Sequence, residues 1–292
     1  MDRPYDRAVE DLGNVVALEH VNVLVPDQQA ATLFYVAGLG LTRDPYLMAS
    51  TNNMWINIGR SQIHMPTGKP QVLRGHVGVV MPDREALLAR LARVQPQLKG
   101  TAFRYEEHNE FVEAVSPWGN RMRVFEPDEA RFGRVLLGVP YVEFDVPEGT
   151  AAGIGSFYRE ILKTPARIEE NGGGRAAHAN VGIGQELVFR ETDQPIPDYD
   201  GHHLQVYLAD FSGPYRELLK RGLITEESDQ HQYRFKDIVE PADGAHLFTI
   251  EHEIRSMRHP LYGRPLVNRN PAQTNVQYAP FHDAFTWTMP VS

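Results

Sequence analysis

The chain has 292 residues, of which 42% are hydrophobic and 23% charged, and a formal net charge of −9. This is the composition of a globular protein with room for two domains. Scattered Lys and Arg in an acidic chain argue against nucleic acid or an anionic membrane as partner, and zero cysteines exclude disulfides, thiolate metal sites and a cysteine nucleophile. The start, MDRPYDRAVEDLG, is polar and acidic, and no apolar run reaches transmembrane length, so a cytoplasmic location is expected.

Residues 1–16 read as an N-terminal lead-in, after which one pattern recurs. An alternating strand ends near Val-Pro-Asp, an amphipathic helix follows, and short strands punctuated by Gly and Pro close the unit. Unit one runs from LEHVNVLVPD through QQAATLFYVAGLG to WINIGRSQIHMP. Unit two runs from GHVGVVMPD through REALLARLARV, with Leu87, Leu88 and Leu91 as its apolar face, to EAVSPWGNRMRVFEP. Unit three opens with PYVEFDVPEG, continues through IGSFYREIL and closes with NVGIGQELVFRE. Unit four opens with GHHLQVYLAD, continues through FSGPYRELLKRGL and closes with PADGAHLFTIEHE. The four units are an internal repeat: VLVPD (23–27) answers FDVPE (144–148), Phe34-Tyr35 answers Phe157-Tyr158, and His203 stands opposite His76. A boundary between halves falls near residues 127–138, NGGGR (171–175) reads as a hairpin turn, and residues 254–292 form an extended tail lying across the body.

Histidines mark the stretch from Ile58 to Asp83. His64 ends unit one, His76 opens unit two, and His20 sits in a strand of the same form as that of His76. Alternation puts every second side chain on one face, so one curved sheet could bring the three imidazoles onto a metal. Without cysteine, such a metal is zinc, iron, manganese, nickel or cobalt rather than copper(I). No Walker loop, dinucleotide fingerprint or nucleophile elbow is present.

The motifs LEHVNVLVPD, GHVGVVMPD and SPWGNRMRVFEP, in this order and recurring fourfold, resemble the vicinal oxygen chelate superfamily of glyoxalase I, bleomycin-resistance proteins and extradiol dioxygenases. The resemblance covers about residues 17–253. It implies an α+β fold in which βαβββ units pair into two cupped mixed sheets with helices outside, one glyoxalase-like domain over 17–130 and a second over 138–253. It also implies metal ligands on the first and last strands of each paired unit. In the first half those positions hold His20, His64 and His76, with Arg123 in the fourth, where it would anchor a substrate carboxylate or phosphate. In the second half Tyr141, Leu187, His203 and Phe248 occupy them. Glu143, His203 and Glu251 form a possible second metal set, and Tyr141 and Gln205 join Arg123 as substrate-binding residues. Glu113 stands as the general base.

The resemblance implies a divalent-metal enzyme acting on a small organic substrate with neighbouring oxygens, through isomerase- or lyase-type Lewis-acid chemistry. Two alternatives stand beside it: an extradiol-like Fe(II) ring-cleaving dioxygenase, and a metal-free binding or resistance protein. The expected partner is a small molecule, with neither nucleic acid nor membrane, and a homo-oligomer is an open possibility.

Overall fold

The acidic residue that ends the opening strand acts as a helix cap in three of the four units. In a computed structural model describing residues 5–44, 47, 52–171, 174–264 and 266, the Asp27 side chain accepts hydrogen bonds from the backbone N–H groups of Gln29 and Ala30. Asp83 accepts from Ala86, and Asp210 from Gly213. Each satisfies donors that a helix start leaves without partners. The helices that follow are Gln28–Ala31 continuing as a π-helix over Thr32–Gly38, Arg84–Val94, and Ser212–Lys220, with Ala151–Glu160 in unit three. Leu87, Leu91 and Val94 bury the inner face of the second, while Leu88 packs at its edge.

Unit one supplies β1 (Val15–Asn22), β2 (Thr42–Arg43), β3 (Asn53–Ile58) and β4 (Ser61–Pro66). Unit two supplies β5 (Gly75–Val80), β6 (Arg104–Glu107), β7 (Phe111–Val115) and β8 (Arg121–Phe125). Unit three supplies β9 (Gly138–Pro147), β10 (Ala166–Asn171), β11 (Gly174–Gly182) and β12 (Gln185–Thr192). Unit four supplies β13 (His203–Leu208), β14 (Ile224–Asp229), β15 (Gln232–Val239) and β16 (His246–Ser256). These strands form two mixed sheets of eight, an α+β architecture as the repeat implies.

The units pair differently from the sequence expectation. Strand order in the first sheet is β14-β15-β16-β13-β1-β4-β3-β2, and in the second β10-β11-β12-β9-β5-β8-β7-β6. Unit one therefore pairs with unit four through the antiparallel β1–β13 contact, and unit two with unit three through β5–β9. Neither half of the chain closes its own sheet. Alternation along a strand specifies which face is buried, not which strand lies beside it, so the repeat defines units without defining partners. Residues 67–74 carry the chain from the first sheet to the second. Their exit is at Gly75, where an added Cβ would lie 1.8 Å from the Glu143 carbonyl oxygen, so only glycine permits β5 to approach β9.

Buried aromatics fill the space between sheets and helices, among them Phe34, Tyr35, Phe144, Phe157, Tyr158, Phe189 and Phe235. His252 sits in this core rather than in a site: it stacks on Phe235 and accepts a 2.6 Å hydrogen bond from the Tyr158 hydroxyl. Beyond β16 the chain crosses the first sheet, where buried Arg264 ion-pairs with Asp44 and donates to Gln62 Oε1 at 3.1 Å. Most of the expected tail, residues 265 and 267–292, lies outside the described residues. Among the described residues no helix is long and apolar enough to cross a membrane.

Candidate metal centre

Strand register in the first sheet generates the site. Across β4, β1, β13 and β16, one row reads Gln62, His20, Gln205, Glu253 and the next His64, Asn22, His203, Glu251. Paired residues share a face, so all eight side chains belong to the concave face. An approximate two-fold relates the units, exchanging His20 with His203, Asn22 with Gln205 and His64 with Glu253. One ligand atom each from His20, His203 and Glu253 lie within 4.8 Å of one another, and all three residues are buried. The His20 and His203 ring centroids are 5.9 Å apart, and those of His20 and His64 5.6 Å.

A bulge in β1 fixes the orientation of His20. Leu18 faces Val206 and His20 faces Gln205, leaving Glu19 as the extra residue. Its Oε2 lies 3.2 Å from His20 Nδ1 and accepts from Arg255 Nη1 at 2.8 Å, while Oε1 accepts from the Tyr207 hydroxyl at 2.8 Å. With Nδ1–H donating to Glu19, His20 presents Nε2 as a lone-pair donor, and that atom is buried without a partner. A carboxylate behind an imidazole is a common support for a metal-ligating histidine.

Electrostatics keep the ligands in their binding forms. Burial lowers the pKa of His20 against the raising effect of Glu19, so the ring is neutral. Burial raises the Glu253 carboxyl, but the His203 hydrogen bond, Arg255, His20 and Arg234 outweigh it and hold the group well below the usual carboxylate range. Arg255 Nη2 lies 2.6 Å from Glu253 Oε1, Glu253 Oε2 ion-pairs with Arg234, and Arg234 Nη1 donates to Glu251 Oε1 at 2.6 Å. Two imidazoles and a carboxylate are a donor set that suits a divalent cation.

His64 holds the fourth symmetric position. It stacks on Trp55 with centroids 3.7 Å apart, and its Nε2 lies 2.8 Å from Asn53 Oδ1. Burial, with His20 and His203 nearby, pushes its pKa well down. Above the cup opens a cavity of about 410 Å³ walled by Trp55, His64, Leu24, Pro66, Gln71 and Arg234. The residues fit a metal ion: His20 Nε2 is buried without a partner, beside His203 and Glu253 on the cavity lining.

The structure redistributes the residues expected from sequence. His20 and His64 share the cup, but His76 lies in the second sheet, because β5 pairs with β9 rather than β1. Glu143 also belongs to the second sheet, which removes it from the Glu143, His203, Glu251 set. His203 Nδ1 lies 3.6 Å from Glu251, and its Nε2 lies 3.6 Å from Glu253. Glu251 is held by Arg234 and Lys236. Gln205 lies in the first sheet, between His20 and Glu253 in register. Arg123 and Tyr141 line the other cup, and Glu113, paired with Arg123 at 3.5 Å, cannot act as base for the His20 centre from a different sheet.

Glu253, Glu19, Arg255 and Trp55 escaped the sequence reading. Equating Phe248 with Arg123 placed the fourth position five residues early in β16; register puts Glu253 there. The usable signal was the alternation Glu251-Glu253-Arg255, polar on every second residue of the strand.

In the second cup the corresponding centre holds His76, Gly78, Tyr141 and Glu143. The Tyr141 ring lies over Gly78, where a Cβ would come within 2.2 Å of it, and its hydroxyl is 3.1 Å from His76 Nε2. Protein occupies the place where the first cup gathers ligands. Among the described residues the His20, His203, Glu253 group is the one that gathers three such ligands.

No family model matches the sequence, and no curated protein matches it. Solved structures do. Glyoxalase I from Zea mays superposes with a TM-score of 0.57 at 13% identity, covering 82% of this chain and 92% of that one. A mutant of the same maize enzyme gives 0.56 at 12% identity, covering 83% and 94%. A proposed dioxygenase from Bacillus subtilis subsp. subtilis str. 168 gives 0.54 at 15% identity, covering 84% and 86%. The cupped sheets of paired βαβββ units and these superpositions define the tandem vicinal oxygen chelate fold. In this fold the chain has four units, and its His20, His203 and Glu253 could hold a metal ion.

Proposed function

We propose that this chain is a divalent-metal-dependent enzyme acting on a small organic substrate through two neighbouring oxygens, by dioxygenase-type chemistry with iron(II). The observation that carries the reading is the two-histidine, one-carboxylate set at the floor of a cavity of about 410 Å³. That donor set, with positions left open, is the arrangement of non-haem iron oxygenases. When bound, the ion would supply Lewis acidity and adjacent sites for oxygen ligands. The chain's own contributions are then specific. Glu19 holds His20 in one tautomer, Arg255 and Arg234 keep Glu253 ionised, and the stacked Trp55 and His64 rings offer a flat wall to a planar substrate.

A second reading, Lewis-acid isomerase or lyase chemistry without oxygen, draws support from His64, whose place in the two-fold offers a fourth ligand. Loading purified protein with Fe(II), Zn(II) or Ni(II) and presenting 1,2-dihydroxybenzenes and 2-oxoaldehyde adducts in an oxygen electrode separates the two. Oxygen uptake with iron alone supports the first, and turnover of an adduct with zinc or nickel under argon supports the second. Failure to retain any stoichiometric metal contradicts both and leaves a metal-free binding protein.

A further inference from the structure

Asn22 and Gln205 occupy the two central positions of the cup that its histidines do not. Register sets Gln205 between His20 and Glu253, and Asn22 between His64 and His203, and the two-fold exchanges one for the other. Gln205 is fully buried, and neither Oε1 nor Nε2 has a hydrogen-bond partner; Asn22 is 3% exposed and its Oδ1 is likewise unpartnered. A buried amide with both ends unsatisfied destabilises a fold, whereas an apolar side chain of similar shape would not. Gln205 with both amide ends unsatisfied and Asn22 with its oxygen unsatisfied, placed by register on the face that carries His20 and His203, therefore point to a partner that the polypeptide does not supply.

A cation alone cannot be that partner. It would satisfy an amide oxygen but repel the N–H donor of Gln205, which needs an acceptor. An oxygen ligand carried by the ion meets both requirements: an anionic or carbonyl oxygen accepts from the Gln205 amide, and a neighbouring hydroxyl donates to the Asn22 carbonyl oxygen. We infer that Asn22 and Gln205 are the oxygen-recognition pair of this site, selecting ligands whose two adjacent oxygens include one acceptor and one hydroxyl. The inference rests on the proposed metal centre and adds the specificity of that same site. Their polarity also excludes ligands with a single oxygen, which would leave one amide unsatisfied.

The test uses the full chain, Co(II) as a coloured metal and, under argon, catechol, whose monoanion carries one anionic oxygen beside one hydroxyl. Gln205→Met and Asn22→Leu keep shape while removing the amide. In each variant the metal-free protein is expected to melt at or above the wild-type temperature, and Co(II) affinity to stay within about threefold. Catechol affinity, read from the cobalt absorption bands, is expected to fall about tenfold or more. A lower melting temperature for both metal-free variants would show protein partners for the amides and overturn the inference. So would unchanged catechol affinity, or a loss of Co(II) affinity as large as that of His203→Ala, which would make the amide a ligand. Wild-type protein that takes up no Co(II) is a different failure, because it overturns the metal centre itself and the inference with it.

Discussion

The two cups of this molecule share a backbone and differ at a handful of side chains. In the first, His20, Asn22, His203 and Gln205 form the centre, with His64 and Glu253 flanking; in the second, His76, Gly78, Tyr141 and Glu143 form the centre, with Arg123 and Val188 flanking. Exchange of one imidazole for a tyrosine, together with a glycine beneath it, turns a gathering point for ligands into a filled core. Arginines are paired with carboxylates in both cups, Arg123 with Glu113, Arg121 with Asp145 and Arg190 with Glu143 in the second. Arg255 and Arg234 in the first cup are matched by Glu19, Glu251 and Glu253. In the second, burial and then Arg123, Arg121 and Arg190 push His76 down to about 2. The filled second centre leaves the first sheet as the one where His20, His203 and Glu253 could hold a metal.

The largest expected effect comes from removing a ligand. His203→Ala should abolish stoichiometric metal, weakening affinity by about a thousandfold or more, while His76→Ala leaves metal content unchanged; metal analysis of the two purified variants checks this pair. Next is the support behind His20. Glu19→Gln, which keeps the shape but removes the charge, should weaken metal binding about 10- to 100-fold by competition titration. An unchanged affinity would mean that the bulge serves only to shape β1.

Effects in the second cup should appear in stability alone. Gly78→Ala drives a methyl group into the Tyr141 ring and should cost about 1–3 kcal/mol in urea unfolding without altering metal content. The smallest effect is a pH slope. The folded pKa of His76, about 2, lies below the ordinary 6.5, so the unfolded chain takes up a proton that the folded chain refuses. Its contribution is complete above about pH 6.5 and is lost progressively as pH falls toward 2, at about 1.4 kcal/mol per pH unit. His76→Gln should flatten the stability curve between about pH 6.5 and 5 by that amount, and a curve parallel to wild type would show that His76 is already charged in the fold.

Much of this contrast could be read before any coordinates, and its limits have physical causes. The four units were legible because strand alternation and the acidic helix caps at Asp27, Asp83 and Asp210 repeat in step. That His20 and His64 share one face was legible, since they fall on strands of one unit at positions of the same alternation. Which units share a sheet was not legible. The hydrogen bonds joining β1 to β13 are backbone bonds available to any strand edge, and the choice depends on how residues 67–74 and 193–202 route the chain. Glu253 was hidden for a related reason: β16 has eleven residues and pairs with β15 through register shifts, so counting from the helix end loses the frame. Glu19 needed the bulge itself, which no alternation pattern announces.

The central claim is that one cup, built from the first and last units, holds the metal. An anomalous-scattering measurement on crystals soaked in Co(II) addresses it directly. The account predicts one strong peak bonded to His20 Nε2, His203 and Glu253, with none near His76. A peak beside His76 and Glu143, or no peak within reach of Glu253 in protein that has bound cobalt, would contradict it.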